Sequence, residues 1–227
     1  FTDDDVSVDA YWLASIVKEF MNPRVMAVTG YVAPAYLETP AQTLFELSYG
    51  GMGHGFYRRV IKNDHISERD LIRASNFGIG ANMAFRKQVF DKVGKFDVAL
   101  DVGTPSSGAG DIEIFHRIVI NGLMLVYEPS ILVWHSHRES IAALRKQILN
   151  NGRSFGCYLI TCYNKSTIRK KSLLKFLIFT WFYRWNLKNM VKSHLPKNLT
   201  LVEMYGMLTS PFAYRKSQAH ARKVADM

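Results

Sequence analysis

The chain has 227 residues, 48% of them hydrophobic and 21% charged, with a net charge of +10; this is enough apolar material for a core and excludes a disordered chain. No signal peptide is recognisable and no uncharged apolar run reaches bilayer-spanning length, which leaves a secreted or integral membrane reading without support. The charge is uneven: Lys165 to Met227 holds 13 Lys and Arg against Glu203 and Asp226, so this tail carries +11 and the body −1. A near-neutral body with a basic, aromatic tail predicts a catalytic or binding domain held against an anionic surface, either membrane or nucleic acid.

In chain order, Phe1-Thr2-Asp3-Asp4-Asp5-Val6 sets three carboxylates side by side. They repel one another, so a shared cation is favoured, a divalent metal first; the alternative is a solvated cluster that caps the next helix. Trp12, Leu13, Ile16, Val17 and Phe20 have helical spacing, and Asn22-Pro23 discourages continuation. Val25–Gly30 reads as a short buried strand. Thr39-Pro40-Ala41-Gln42 is a capping-box helix start, and that helix carries Phe45, Glu46 and Tyr49.

The helix runs into Gly50-Gly51-Met52-Gly53-His54-Gly55-Phe56, whose spacing fits neither a P-loop nor a dinucleotide fingerprint; it reads as a flexible loop over a cleft, with phosphate binding as the alternative. Phe77–Phe85 is a second small-residue run that enters a strand. Its Gly78, Gly80 and Asn82 leave room for a substrate, although tight packing of strand on helix explains them as well. A short helix from Arg86 to Val93 is stopped by Gly94.

A glycine-rich loop from Gly103 then delivers Asp111 to a helix N-terminus, with Glu113 pointing to another side; the plain reading of Asp111 is a helix cap. Gly122 ends that helix, Met124–Tyr127 is a strand, Pro129 turns the chain, and Ile131–Trp134 leads to His135-Ser136-His137-Arg138. Two histidines one residue apart on an extended segment put both rings on one side, suited to a metal or a phosphate oxygen. Cys157 and Cys162 have no metal-ligand spacing and read as reduced thiols.

The ordered series resembles a bacterial family 2 glycosyltransferase of the GT-A fold. It comprises the Asp3-Asp4-Asp5 segment with Trp12-Leu13, Thr39-x-Ala41-Gln42-x-x-Phe45-Glu46 with Gly50-Gly51, and Gly80-Ala81-Asn82-Met83-Ala84-Phe85-Arg86. Gly103-Thr104-Pro105, Gly110-Asp111-x-Glu113-x-Phe115-x-Arg117 and Tyr127-Glu128-Pro129 through His135-x-His137-Arg138 complete it. The resemblance implies an α/β fold over residues 1–153, the C-terminal part of a GT-A-like mixed sheet flanked by helices, followed by a helical basic extension over 154–227. It implies that Asp3 and Asp5 hold Mg2+ or Mn2+ on the diphosphate of a nucleotide-sugar donor, with Asp4 in support. Asp111 matches the base that deprotonates an acceptor hydroxyl, giving inversion. His135, favoured over His137, completes the metal or phosphate site; Glu113 and Arg138 support it, and Gly50, Gly51, Gly80 and Asn82 form the acceptor loop.

Two departures from the family pattern shape the expectation. The segment that grips base and ribose in the family would precede Phe1, so catalysis by these residues alone is in question. Gln147-Ile148-Leu149-Asn150-Asn151 replaces the Gln-x-x-Arg-Trp of processive members, which favours transfer of one sugar to a glycan or lipid-linked acceptor. Leu173–Trp185, bulky, aromatic and flanked by Arg169, Lys170, Lys171 and Lys188, suits the headgroup region of a membrane, placing the protein in the cytoplasm or peripherally on the inner face of the cell membrane. Packing on the catalytic domain is its other reading. The rival function is a non-catalytic fragment whose tail binds membrane or nucleic acid. It would leave the acidic and histidine residues without a joint role, so nucleic acid is not the expected partner.

Overall fold

In the computed structural model, which describes residues 1–192 and 195–225, the acidic turn runs straight into a three-residue strand, β1 (Val6–Val8). Helix α1 (Trp12–Phe20) follows and lays Trp12, Ile16 and Phe20 on a core of Val25, Val28, Met124, Val126 and Ile131. Strand β2 (Val25–Pro34) extends beyond the expected Gly30. The capping box forms as read: Thr39 Oγ1 accepts from the Gln42 amide, and Gln42 Oε1 accepts from the Thr39 amide at 2.9 Å. Helix α2 (Pro40–Thr43) then widens into a π-helical turn, Leu44–Tyr49, that ends at Gly50 with φ +119°.

The segment after the glycine-rich loop holds strand β3 (Arg59–Ile61) and helix α3 (Glu68–Ile72), which is capped by Ser67. Strand β4 (Met83–Phe85), helix α4 (Gln88–Val93) and helix α5 (Gly110–Ile120) fall where the pattern predicts them. Strand β5 (Met124–His135) does not, because Pro129 makes no turn and a single strand of 12 residues runs through it.

The physical reason lies in the pairing. β5 is central, parallel to β2 on one edge and antiparallel to β3 and then β1 on the other; β4 joins the far edge of β2. Along β2 the register jumps from Gly30↔Glu128 to Tyr31↔Leu132, so Pro129, Ser130 and Ile131 bulge out. On the other edge Pro129 falls between the β3 pairs, which stop at Tyr127, and the β1 pairs, which begin at Val133. A residue without an N–H costs no ladder bond there. Opposite the bulge only a glycine fits, since a Cβ at Gly30 would lie 1.9 Å from the Ile131 carbonyl oxygen.

By their contacts, the residues form two units. The first comprises Phe1–Lys95 and Asp111–Arg138, and so contains the whole sheet. The second comprises Phe96–Gly110 and Glu139–Met227. The sequence places the change at residue 153, but helix α6 (Ile141–Asn164) runs through that position without a break.

The second unit is helical, as expected of the tail. After α6 come α7 (Lys170–Lys175), a widened helix Phe176–Leu187, α8 (Lys188–Lys192) and the 29-residue α9 (Lys197–Ala225). Helices α6 and α9 pack backbone to backbone. A Cβ at Gly152 would lie 2.2 Å from the Glu203 carbonyl oxygen, and one at Gly206 would lie 2.2 Å from that of Leu149. Leu100 is buried with Cys157 and Tyr214, and the Ser106 amide donates to Ser217 Oγ at 2.8 Å, so the segment 96–110 is built into this helical unit. Both cysteines are free and buried, and desolvation pushes the Cys157 thiol up to about 12. No helix among the described residues is long and apolar enough to cross a membrane.

Candidate metal and acid-base site

Strand pairing explains how residues at the two ends of the sheet unit's sequence, such as Asp5 and His135, meet. Val6 pairs with His135, so the residue before β1, Asp5, lies beside the residue after β5, and the Ser136 amide donates to the Asp5 carbonyl at 3.0 Å. Asp3, Asp5 and His135 each offer one ligand atom, and these atoms lie within 4.8 Å of one another. His135 Nε2 is 3.3 Å from Asp5 Oδ1, and the exposed Arg138 reaches Asp5 Oδ2 at 3.7 Å. Asp3 and Asp4 are both exposed in this turn, Asp5 is half-buried and His135 is buried.

The electrostatics are those of crowded carboxylates beside an imidazole. Asp3 is raised above the usual carboxylate range, first by desolvation and then by repulsion from Asp5, with His135 acting the other way. Its charge therefore opposes folding at neutral pH, and this opposition fades as the pH falls through its raised pKa. Burial lowers His135 against the pull of Asp5, which keeps its ring neutral, the form that ligates metals. Two carboxylate oxygens and one imidazole nitrogen form a donor set that fits Mg2+ or Mn2+.

His135 is held by a chain of contacts that the sequence does not announce. Its Nδ1 is 3.2 Å from Nδ1 of the buried His137, whose Nε2 is 3.0 Å from Glu46 Oε2. The Phe45 ring stands edge-on to His137 at 4.9 Å, and Gln42 Nε2 donates to the His137 carbonyl at 3.3 Å. Phe45 and Glu46, neighbours on the widened turn Leu44–Tyr49, both contact His137. Between the two Nδ1 atoms there is room for one proton. When it sits on His135, Nε2 of that ring is free to ligate and His137 accepts at Nδ1 and donates from Nε2 to Glu46. Gly51 leaves space for Glu46, since a Cβ there would meet its carboxylate at 2.3 Å; a Cβ at Gly50 would meet nothing within 4 Å.

Asp111 lies in the first turn of α5. Its Oδ2 accepts from the Gly80 amide at 2.9 Å and its Oδ1 from the Ile112 amide at 2.8 Å. Desolvation raises its pKa despite both bonds, and the charge on Asp3 adds to the rise, so the two carboxylates sense each other. The turn at Gly80–Asn82 links them, because Thr2 bridges to Asn82 while Gly80 holds Asp111.

Two of the expected residues do other work. Asn82 is fully buried and spends its side chain on the scaffold: Nδ2 donates to the Ile131 carbonyl at 2.7 Å and the Tyr31 carbonyl at 3.0 Å, and Oδ1 accepts from Trp12 Nε1 at 2.9 Å. It faces the bulge, where nothing is left over for an acceptor. Glu113 is buried and pairs with Arg117 at 2.7 Å, which in turn donates to the Val93 and Lys95 carbonyls at the end of α4. The glycine-rich loop is anchored too, since Tyr127 Oη donates to the Gly55 carbonyl at 2.7 Å and Phe56 stacks on Tyr31. Burial and the neighbouring Arg59 push His54 in this loop down to about 4.

The residues that sequence reasoning passed over are Glu46, Gln42 and Trp12. Each stands inside a quoted motif, but only the fold shows which partner it serves. Compared with protein-family models, curated proteins and solved structures, the chain matches none.

Proposed function

We propose that this chain carries the metal-binding and acceptor-activating part of an inverting glycosyltransferase that moves one sugar from a nucleotide-sugar donor to a hydroxyl of a glycan or lipid-linked acceptor in cell-surface glycan assembly. The observation that carries the reading is the meeting of Asp3, Asp5 and His135 within 4.8 Å, in electrostatic reach of the desolvated Asp111. The order of motifs along the chain, similar to family 2 glycosyltransferases, supplies the reaction class. Reduced, buried thiols accord with work in the cytoplasm or on the inner membrane face.

Asp3, Asp5 and His135 would hold Mg2+ or Mn2+, which supplies Lewis-acid stabilisation of the charge that builds on the departing diphosphate. Asp111 takes the proton of the acceptor hydroxyl as that oxygen bonds to the anomeric carbon and the bond to the diphosphate oxygen breaks. Its raised pKa makes it a stronger base than an ordinary carboxylate, and the Gly80 amide fixes the lone pairs it presents. Arg138, exposed and 3.7 Å from Asp5, is placed to meet phosphate charge.

The first test is calorimetric titration with Mn2+ and UDP, separately and together. Nucleotide binding that requires Mn2+ and disappears in Asp3→Ala/Asp5→Ala is the expected result; binding indifferent to metal or to the double substitution rejects the site. A second test addresses the relay behind His135. Glu46→Leu is expected to weaken Mn2+ binding by about tenfold, because His137 Nε2 loses its acceptor and with it the proton pattern that frees His135 Nε2. Unchanged Mn2+ affinity would reduce Glu46 to a packing role.

A further inference from the structure

Helix α9 has two apolar sides where one is needed for packing. Leu199, Met207, Ser210 and Tyr214 are buried in the helical unit. On the opposite side Leu201, Tyr205, Leu208 and Phe212, spaced four, three and four apart, form a single stripe. These four are 51, 60, 69 and 70% exposed, which rules out a packing role within the chain's described residues. The same stripe is cationic beyond both ends: the exposed Lys197 lies one turn before it, and the exposed Arg215, Lys216, Arg222 and Lys223 continue it. In the same unit the widened helix Phe176–Leu187 exposes Phe179, Phe182 and Tyr183 beside Lys175 and Arg184. An open groove of about 200 Å³, lined only by Leu159, Ile160, Tyr163, Leu173 and Leu177, lies in this unit as well.

We infer that the outer face of α9 docks the helical unit on an anionic lipid bilayer. Apolar residues flanked by cations match the acyl boundary and headgroup layers of such a surface. A second copy of the chain fits less well, since parallel or antiparallel pairing of the stripes sets cations against cations at both ends. A nucleic acid would engage the cations and could stack on rings, but it offers nothing to the aliphatic Leu201 and Leu208. The inference rests on exposure and charge in the helical unit and is independent of the sugar-transfer reading.

The experiment is co-sedimentation of the whole chain with vesicles of phosphatidylcholine, with and without phosphatidylglycerol. Anionic vesicles are expected to bind at least about tenfold more protein than neutral ones, with binding reduced by salt. Leu208→Ser/Phe212→Ser should lower partition by about tenfold while circular dichroism stays unchanged, because two exposed apolar side chains no longer enter the bilayer. Arg215→Gln/Lys216→Gln should reduce the preference for anionic vesicles, which tests the surface even where the first variant folds poorly. Equal binding by all variants overturns the inference, as does a stripe variant that changes only the oligomeric state in sedimentation. Tight binding to single-stranded DNA without vesicle partition overturns it in favour of nucleic acid.

Discussion

Under the proposed sugar-transfer function, Asp111→Asn is expected to lower transfer by about 10²–10⁴-fold while leaving Mn2+-dependent UDP binding in place. The substitution removes the capacity to take a proton and changes little else in shape. An amide retains one of the two acceptors that now face the Gly80 and Ile112 amides, so a stability loss of about 1–2 kcal/mol accompanies the change. Thermal unfolding measures that loss separately, and UDP titration shows whether the donor side is intact. Retained turnover with acceptor present would remove Asp111 as the base. Lost nucleotide binding would instead mean that it supports the metal side, through the interaction with Asp3.

The second large effect is structural. Asn82→Ala is expected to destabilise the sheet unit by about 3 kcal/mol or more, because it leaves the Ile131 and Tyr31 carbonyls and the Trp12 indole N–H without their shared partner. The loss concentrates at the bulge, so Asn82→Asp offers no repair: it keeps the acceptor for Trp12 but turns carboxylate oxygens on two carbonyls. Chemical denaturation of both variants checks this. A fall below about 1 kcal/mol for the alanine variant would show that water replaces the amide, and that the bulge is held by Gly30 and the strand pairs alone.

Much of this site was legible because its residues sit in recognisable local patterns. The acidic triplet and the paired histidines stand out by residue type and come together in the fold, and the capping box at Thr39 formed with both of its bonds. What the sequence could not carry was pairing. Pro129 reads as a turn in any one-dimensional pattern, and only the shift in register between β2 and β5, with the gap between β3 and β1, makes it a strand residue. Asn82 was misread for a related reason, since a polar residue among small ones suggests an open cleft until the bulge that consumes its amide is seen. Glu46 was hidden because its partner, His137, lies 91 positions away in sequence.

The segment 96–110 has a consequence for anyone trimming the protein. It stands between two stretches of the sheet unit, yet Leu100 is buried with Cys157 and Tyr214, and Ser106 is tied to Ser217. A chain cut after Arg138 would keep Asp3, Asp5, His135 and Asp111, and would strip their connecting loop of everything it folds against. Its next residue after Gly110 is the proposed base. Shortening the chain to remove its aromatic tail therefore takes away what the segment 96–110 packs on, one residue before Asp111.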